Sequence, residues 1–66
     1  MRAWLKDSDV PIVLELDDGS LRVCDPTLGW YSQIGPAESL VTYFGLIEAD
    51  AETTSVIAEE ALAELN

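Results

Sequence analysis

Histidine is absent from this 66-residue chain, and lysine and arginine together number three. The first absence removes the commonest general base and metal ligand. The second argues against direct nucleic-acid binding, because phosphate contacts need several cations. Cys24 is the single cysteine, so no disulfide can close within the chain. No apolar run reaches the 18 or so residues of a membrane span, and the N-terminal stretch lacks the apolar core of a signal peptide. A reducing cytoplasm is therefore the expected location. The chain is short enough that one domain, residues 1–66, is the expected organisation.

What is abundant is acid. Thirteen Asp and Glu residues bring the formal net charge to -10 and the pI to about 4.1. Hydrophobic residues still make up 48% of the chain and mean hydropathy is +0.15, so the composition is that of a folded domain rather than an acidic tail. Trp4, Trp30, Tyr31, Tyr43 and Phe44 supply large candidate core side chains. The charge is uneven. Residues 1–22 sum to -2, whereas residues 23–66 sum to -8 and contain no cation.

Local patterning predicts an α+β fold. The run Ile12-Val13-Leu14-Glu15-Leu16 alternates, Asp17-Asp18-Gly19-Ser20 reads as a turn, and Leu21-Arg22-Val23-Cys24 alternates again. Asp-Gly between two such runs is a strong hairpin signal. Ile12, Leu14 and Leu16 are expected to face the core with Leu21 and Val23 opposite them. Met1–Lys6 offers a flanking strand, joined through a turn at residues 7–11, and Gly29–Ile34 offers another. The hairpin over residues 12–24 thus becomes a small antiparallel sheet of three or four strands.

Two helices are expected in the C-terminal half. Pro36 suits the first helical position, and Ala37, Leu40, Val41 and Phe44 repeat at the spacing of one buried face. Gly45 suits the helix end, with Leu46 folding back. A strand from Leu40 to Ile47 competes on β-branched content but ignores Pro36 and Gly45. Asp50 then caps a second helix. Thr54, Ile57, Ala58, Ala61, Leu62 and Leu65 form its inner stripe at about 100° per residue. Glu52, Glu59, Glu60 and Glu64 fall on the other side.

No residue constellation names a reaction. The serines at 8, 20, 32, 39 and 55 have no base to activate them, and no catalytic, cofactor or metal residues are assigned. Asp17-Asp18 offers two adjacent acids rather than the spaced oxygen ligands and terminal Glu of a calcium loop. Cys24 reads as a small buried apolar residue in a strand; a reactive thiol needs a cationic neighbour, and Arg22, two residues away, shares its strand face without having to touch it. The functional argument therefore rests on charge. Helices usually intersperse Glu with Lys at i, i+4; here Glu60 and Glu64 are a like-charged pair with no lysine to offset them. A four-residue step advances roughly 6 Å along a helix. Phosphates along a nucleic-acid strand rise about 3.4 Å each, with further displacement around the axis. A rigid row of carboxylates can therefore present charge to a groove built for DNA. Two blander readings stand beside this one: a solvated surface, and adaptation to high salt.

Aromatic and apolar side chains could complete an interface. Trp30 and Tyr31 are adjacent, so on a strand they point to opposite faces, and one is expected to be buried and the other exposed. Packing of both at the core edge is the alternative. Val56 lies among Glu52, Glu59 and Glu60, where an apolar anchor would be flanked by charge.

In size, single α+β domain, lone cysteine and the acid-only stretch from Val23 to Asn66, the chain resembles the small acidic inhibitors that phages and mobile elements raise against bacterial defence: anti-CRISPR proteins and anti-restriction DNA mimics. The resemblance covers gross character and carries no diagnostic motif. It implies stoichiometric inhibition of a basic DNA-binding complex in the host cytoplasm, such as a type I CRISPR surveillance complex (Cascade). Glu52, Glu59, Glu60 and Glu64, with Asp17, Asp18 and Glu15, would stand in for phosphates, and Val56, Trp30 and Tyr31 would add contact area. The alternative is an interaction module, an antitoxin or adaptor, that docks through its aromatic and apolar surface. Net charge favours a monomer, with a homodimer through the Trp30–Tyr31 region left open. Because carboxylate repulsion opposes the folded state, the thermal midpoint should rise when salt is raised to about 0.5 M, which shortens the Debye length to a few ångströms. A midpoint that falls with salt would contradict this reading of the charge.

Overall fold

Alternating side chains and two tight turns build most of the molecule. The computed structural model describes residues 1–6 and 9–65. Four strands follow in sequence: β1 (Arg2–Lys6), β2 (Asp9–Glu15), β3 (Leu21–Asp25) and β4 (Gly29–Gln33). Helix α1 (Ala37–Phe44), the two-residue strand β5 (Ile47–Glu48) and helix α2 (Ala51–Leu65) complete the chain. All pairings are antiparallel, in the order β4-β3-β2-β1-β5. The expected α+β class, central hairpin, both flanking strands and both helices are present. Residues 7 and 8 of the expected 7–11 turn lie outside the described residues, whereas Asp9 and Pro11 belong to β2. Pro11 sits where the β1–β2 register shifts, at a bulge, where its missing N–H removes no regular ladder bond.

The hairpin turn decides the sheet's two faces. Leu16 donates its N–H to the Ser20 carbonyl at 2.9 Å, and the Gly19 N–H donates to the Leu16 carbonyl at 3.0 Å. Asp17-Asp18-Gly19 is therefore a three-residue loop, closed by Gly19 at φ 90°, a conformation glycine adopts without steric cost. A two-residue Asp18-Gly19 turn would set Leu16 across from Leu21 and Leu14 across from Val23. The extra loop residue moves the register by one, so Val13 faces Val23 and Glu15 faces Leu21. A one-residue shift transfers every side chain of a strand to the other face. Leu21 and Val23 therefore do not join Ile12, Leu14 and Leu16, contrary to the expectation from sequence.

Both faces are covered, and each has its own core. On one, Trp4, Val13, Leu21 and Val23 pack with Ala37 and Leu46, and Tyr31, Leu40, Val41 and Phe44 close over them from the margin. On the other, Ala3 and Leu14 pack with Ile57, Ala58 and Ala61 of α2, flanked by Leu5, Ile12, Leu16, Trp30 and Ala49. The result is three layers: α1, sheet, α2. Each helix is anchored at an end. Pro36 precedes α1 in extended conformation rather than occupying its first turn, because the cap position takes non-helical backbone. Gly45, at φ 67°, ends the helix; the Leu46 N–H returns to the Val41 carbonyl at 2.9 Å, and Leu46 is buried.

Two apolar assignments differ from expectation. Tyr43 is 82% exposed, because α1 turns Leu40, Val41 and Phe44 inward and leaves Tyr43 outside, edge-on to the Phe44 ring. Leu62 is 44% exposed. Alanines 58 and 61 form the centre of the α2 contact, and Leu62, about 100° round from Ala61, falls at its margin. The Leu65 side chain lies outside what is described. No helix among the described residues is long and apolar enough to cross a membrane.

Leu14 is fully buried beneath α2, so Leu14→Ala should lower unfolding free energy by about 2–5 kcal/mol. Exposed Val56→Ala should change it by less than about 0.5 kcal/mol. Denaturant melts of the two variants check the contrast, and equal losses would contradict the assigned core.

Candidate functional site

Helix α2 starts from a firm cap. The Thr53 N–H donates to Asp50 Oδ1 at 2.8 Å, and the Asp50 carbonyl accepts from the Thr54 N–H at 2.9 Å and the Thr54 hydroxyl at 2.7 Å. The Ala49 N–H donates to the Ala3 carbonyl at 2.8 Å, tying the helix entry to β1. Thr54, Ile57, Ala58 and Ala61 face the sheet. With that stripe inward, 100° per residue turns Glu52, Val56 and Glu59 directly outward and sets Glu60 and Glu64 along one flank. All four glutamates are exposed, and among the described residues none forms an ion pair. Val56, 58% exposed, sits between Glu52, Glu59 and Glu60 as expected.

Two of the three cations are engaged elsewhere. Arg2 makes a bidentate contact with Glu48, Nε to Oε2 and Nη2 to Oε1, each 3.1 Å, and its guanidinium lies 4.8 Å over the Trp4 ring. The hydrogen bonds and charge of Glu48, with lesser help from Glu15 and Glu38, raise the Arg2 pKa further. Arg22 turns back on its own strand, donating to the Leu21 carbonyl at 3.1 Å and the Ser20 hydroxyl at 3.5 Å. Lys6 is exposed on the edge of β1. The Arg2–Trp4–Glu48 cluster escaped sequence reasoning because Glu48 lies 46 residues from Arg2. Only the i, i+2 placement of Arg2 and Trp4 on one strand face hinted at it.

The remaining candidate residues do not form one surface with α2. Glu15 follows Val13 on the α1 side of the sheet, across from Leu21 and half-buried, so the sheet itself separates it from the α2 glutamates. Asp17 and Asp18 occupy the hairpin tip and already have partners. Asp17 Oδ1 accepts from the N-terminal ammonium at 2.9 Å. Asp18 Oδ1 accepts from the Ser20 hydroxyl at 2.6 Å and the Ser20 N–H at 2.9 Å. Trp30 and Tyr31 do point to opposite faces, Trp30 towards α2 and Tyr31 towards α1, yet both are half-buried. Of the two readings, packing of both at the core edge is the one found, because the sheet is covered on both sides. Cys24 is likewise only partly buried.

No cluster of three or more metal-ligating side chains forms among the described residues. What the site can do is electrostatic: present fixed carboxylates on a rigid helix. Comparison of the chain with protein-family models, with curated proteins and with solved structures finds no match.

Three carboxyls outside the α2 face are held below their ordinary values: Asp18 by the Ser20 hydroxyl and N–H, Glu48 by the Arg2 hydrogen bonds, and Asp50 by the Thr53 N–H and hydroxyl. A folded-state value below the unfolded one means that each group's stabilisation is complete above its ordinary value of 3.8, 4.5 or 3.8 and is lost as pH falls through the lowered one. Asp50→Asn keeps an equally good cap but removes the titration. Below about pH 4 its thermal midpoint should therefore fall less steeply than that of the parent. Identical acid limbs in the two melts would contradict the assignment.

Proposed function

We propose that this protein is a non-catalytic inhibitor of the anti-CRISPR, DNA-mimic type. It occupies the basic nucleic-acid-binding channel of a bacterial defence complex, with a type I surveillance complex such as Cascade as the leading candidate, in the cytoplasm of the host. DNA is blocked because carboxylates sit where phosphates would lie. The observation that carries the reading is the outward face of α2. Glu52, Glu59, Glu60 and Glu64 are all exposed on one rigid helix, while two of the three cations are drawn into contacts on the strands. A groove evolved for DNA gains steering and counterion release from such a face. The α2 surface forms the proposed contact, with Val56 as its apolar centre. Glu15 is set aside as lying on the other side of the sheet, and Asp17 and Asp18 are at most peripheral.

A second reading has one observation in its favour, the exposure of Val56. It makes the protein an adaptor or antitoxin that docks through apolar contact, with the acids serving only solubility. Salt separates the two. A mimic's affinity falls steeply as salt rises, whereas an apolar dock is nearly indifferent.

Glu59→Lys with Glu60→Lys tests the mimic reading directly. Close interfacial charge pairs couple by about 1.5 kcal/mol or more, so the double variant should bind a type I surveillance complex at least about tenfold more weakly, with circular dichroism and melting intact. Unchanged affinity in a folded double variant would reject this face as the contact. Loss on Val56→Ser, combined with a flat salt dependence, would favour the adaptor.

A further inference from the structure

The two edges of the sheet are finished differently. One ends in β5, two residues long, with Glu48 of that strand clamped to Arg2. Short length and charge are the usual devices that keep an edge from pairing with another chain. The other ends in β4, which is five residues long with no bulge in its pairing to β3, and among the described residues no strand lies outside it. It is the one strand of the five without an ionisable acid or base of the Asp, Glu, Lys or Arg type, and residues 26–37 carry none of these at all. Every other stretch of this length in the chain contains at least one acid.

The ladder phase shows which groups β4 offers. The bond from the Leu16 N–H to the Ser20 carbonyl fixes Leu14–Arg22 and Ile12–Cys24 as hydrogen-bonded pairs. Leu21, Val23 and Asp25 therefore bond to Gln33, Tyr31 and Gly29 of β4. Trp30 and Ser32 are left with N–H and C=O directed away from the sheet. Leu28, 74% exposed, and Ile34, 92% exposed, flank the strand at its two ends.

We infer that β4 is a pairing edge through which two copies of this chain join as a two-fold dimer with one continuous sheet. Centred on Tyr31, antiparallel pairing sets Trp30 across from Ser32 of the second copy. Both of those residues have outward backbone groups, so the phase is correct for a hydrogen-bonded pair. The same register sets Gly29 across from Gln33, and brings exposed Leu28, in the β3–β4 turn, to the end of the seam beside exposed Ile34 of the second copy. A second copy is favoured over a basic peptide because the edge has no charge for such a peptide to match. A chain of net charge -10 can approach itself with least repulsion along a segment that has no carboxylate. The two-fold axis stands normal to the sheet, so both α2 helices fall on the same side of the dimer. The inference does not depend on the charge-mimicry reading.

Sedimentation equilibrium of the full chain, from about micromolar to about millimolar concentration in about 0.3 M NaCl to screen the acids, should show the mass rising from 7.2 kDa towards twice that value. Ser32→Pro removes an outward N–H without touching the β3–β4 ladder, and Ile34→Glu adds charge at the seam without altering the backbone. Each should weaken the dimer at least tenfold, while Val56→Ser leaves it unchanged. A parent that stays at the monomer mass throughout overturns the proposal, as does a dimer that survives Ile34→Glu or is lost in Val56→Ser.

Discussion

The hairpin register is the constraint on which the rest depends. One residue beyond a two-residue turn, accommodated by Gly19 at positive φ, separates Val13 from Leu14 in destination as well as in direction. Val13 joins Leu21 and Val23 under α1; Leu14 joins Ala3 under α2. With the opposite register, Leu21 and Val23 would crowd the α2 side and leave α1 facing little more than Trp4 and Val13. For a chain of this length, two thin cores on a shared sheet bury more apolar surface than one face could. The alanines at 58 and 61 complete that economy of space by bringing α2 close to the strands.

Much of this was legible in the sequence, and the misses have physical causes. The turns, caps and periodicities of the helices locate the hairpin, both flanking strands and both helices, because they depend on neighbours in the chain; the two-residue β5 has no such local signal, and β2 begins at Asp9, inside the expected turn. Face assignment depends on loop length, where a single residue reverses the answer. The unbroken apolar run Ile12-Val13-Leu14 was the available signal, since a strand buried on both faces is apolar at both parities. The same two-sided burial separates Leu21 and Val23 from Leu14 and keeps Trp30 and Tyr31 half-buried at the two core edges. Tyr43 and Leu62 fall outside the core for another reason: apolar content predicts a core only as wide as the partner surface that meets it.

The candidate site was legible to the same extent. The α2 glutamates followed from helical spacing alone and are exposed together. Glu15 was grouped with them by sequence proximity to Asp17 and Asp18, and the sheet divides it from them. The strands explain why the acidic face stays uncompensated: Arg2 is taken up by Glu48 and Trp4, and Arg22 by its own hairpin. Those two cations hold the sheet edge and the turn in place, and the α2 glutamates are left uncompensated around exposed Val56.

The central claim is that this surface substitutes for a phosphate backbone. The most direct measurement immobilises the tagged protein, captures binding partners from bacterial lysate at low salt and elutes with short duplex DNA. The account predicts that a DNA-binding complex leaves the protein as DNA is added, because both compete for one groove. A partner that stays bound through DNA and high salt alike would contradict it, and would make the acidic face of α2 a solvated surface only.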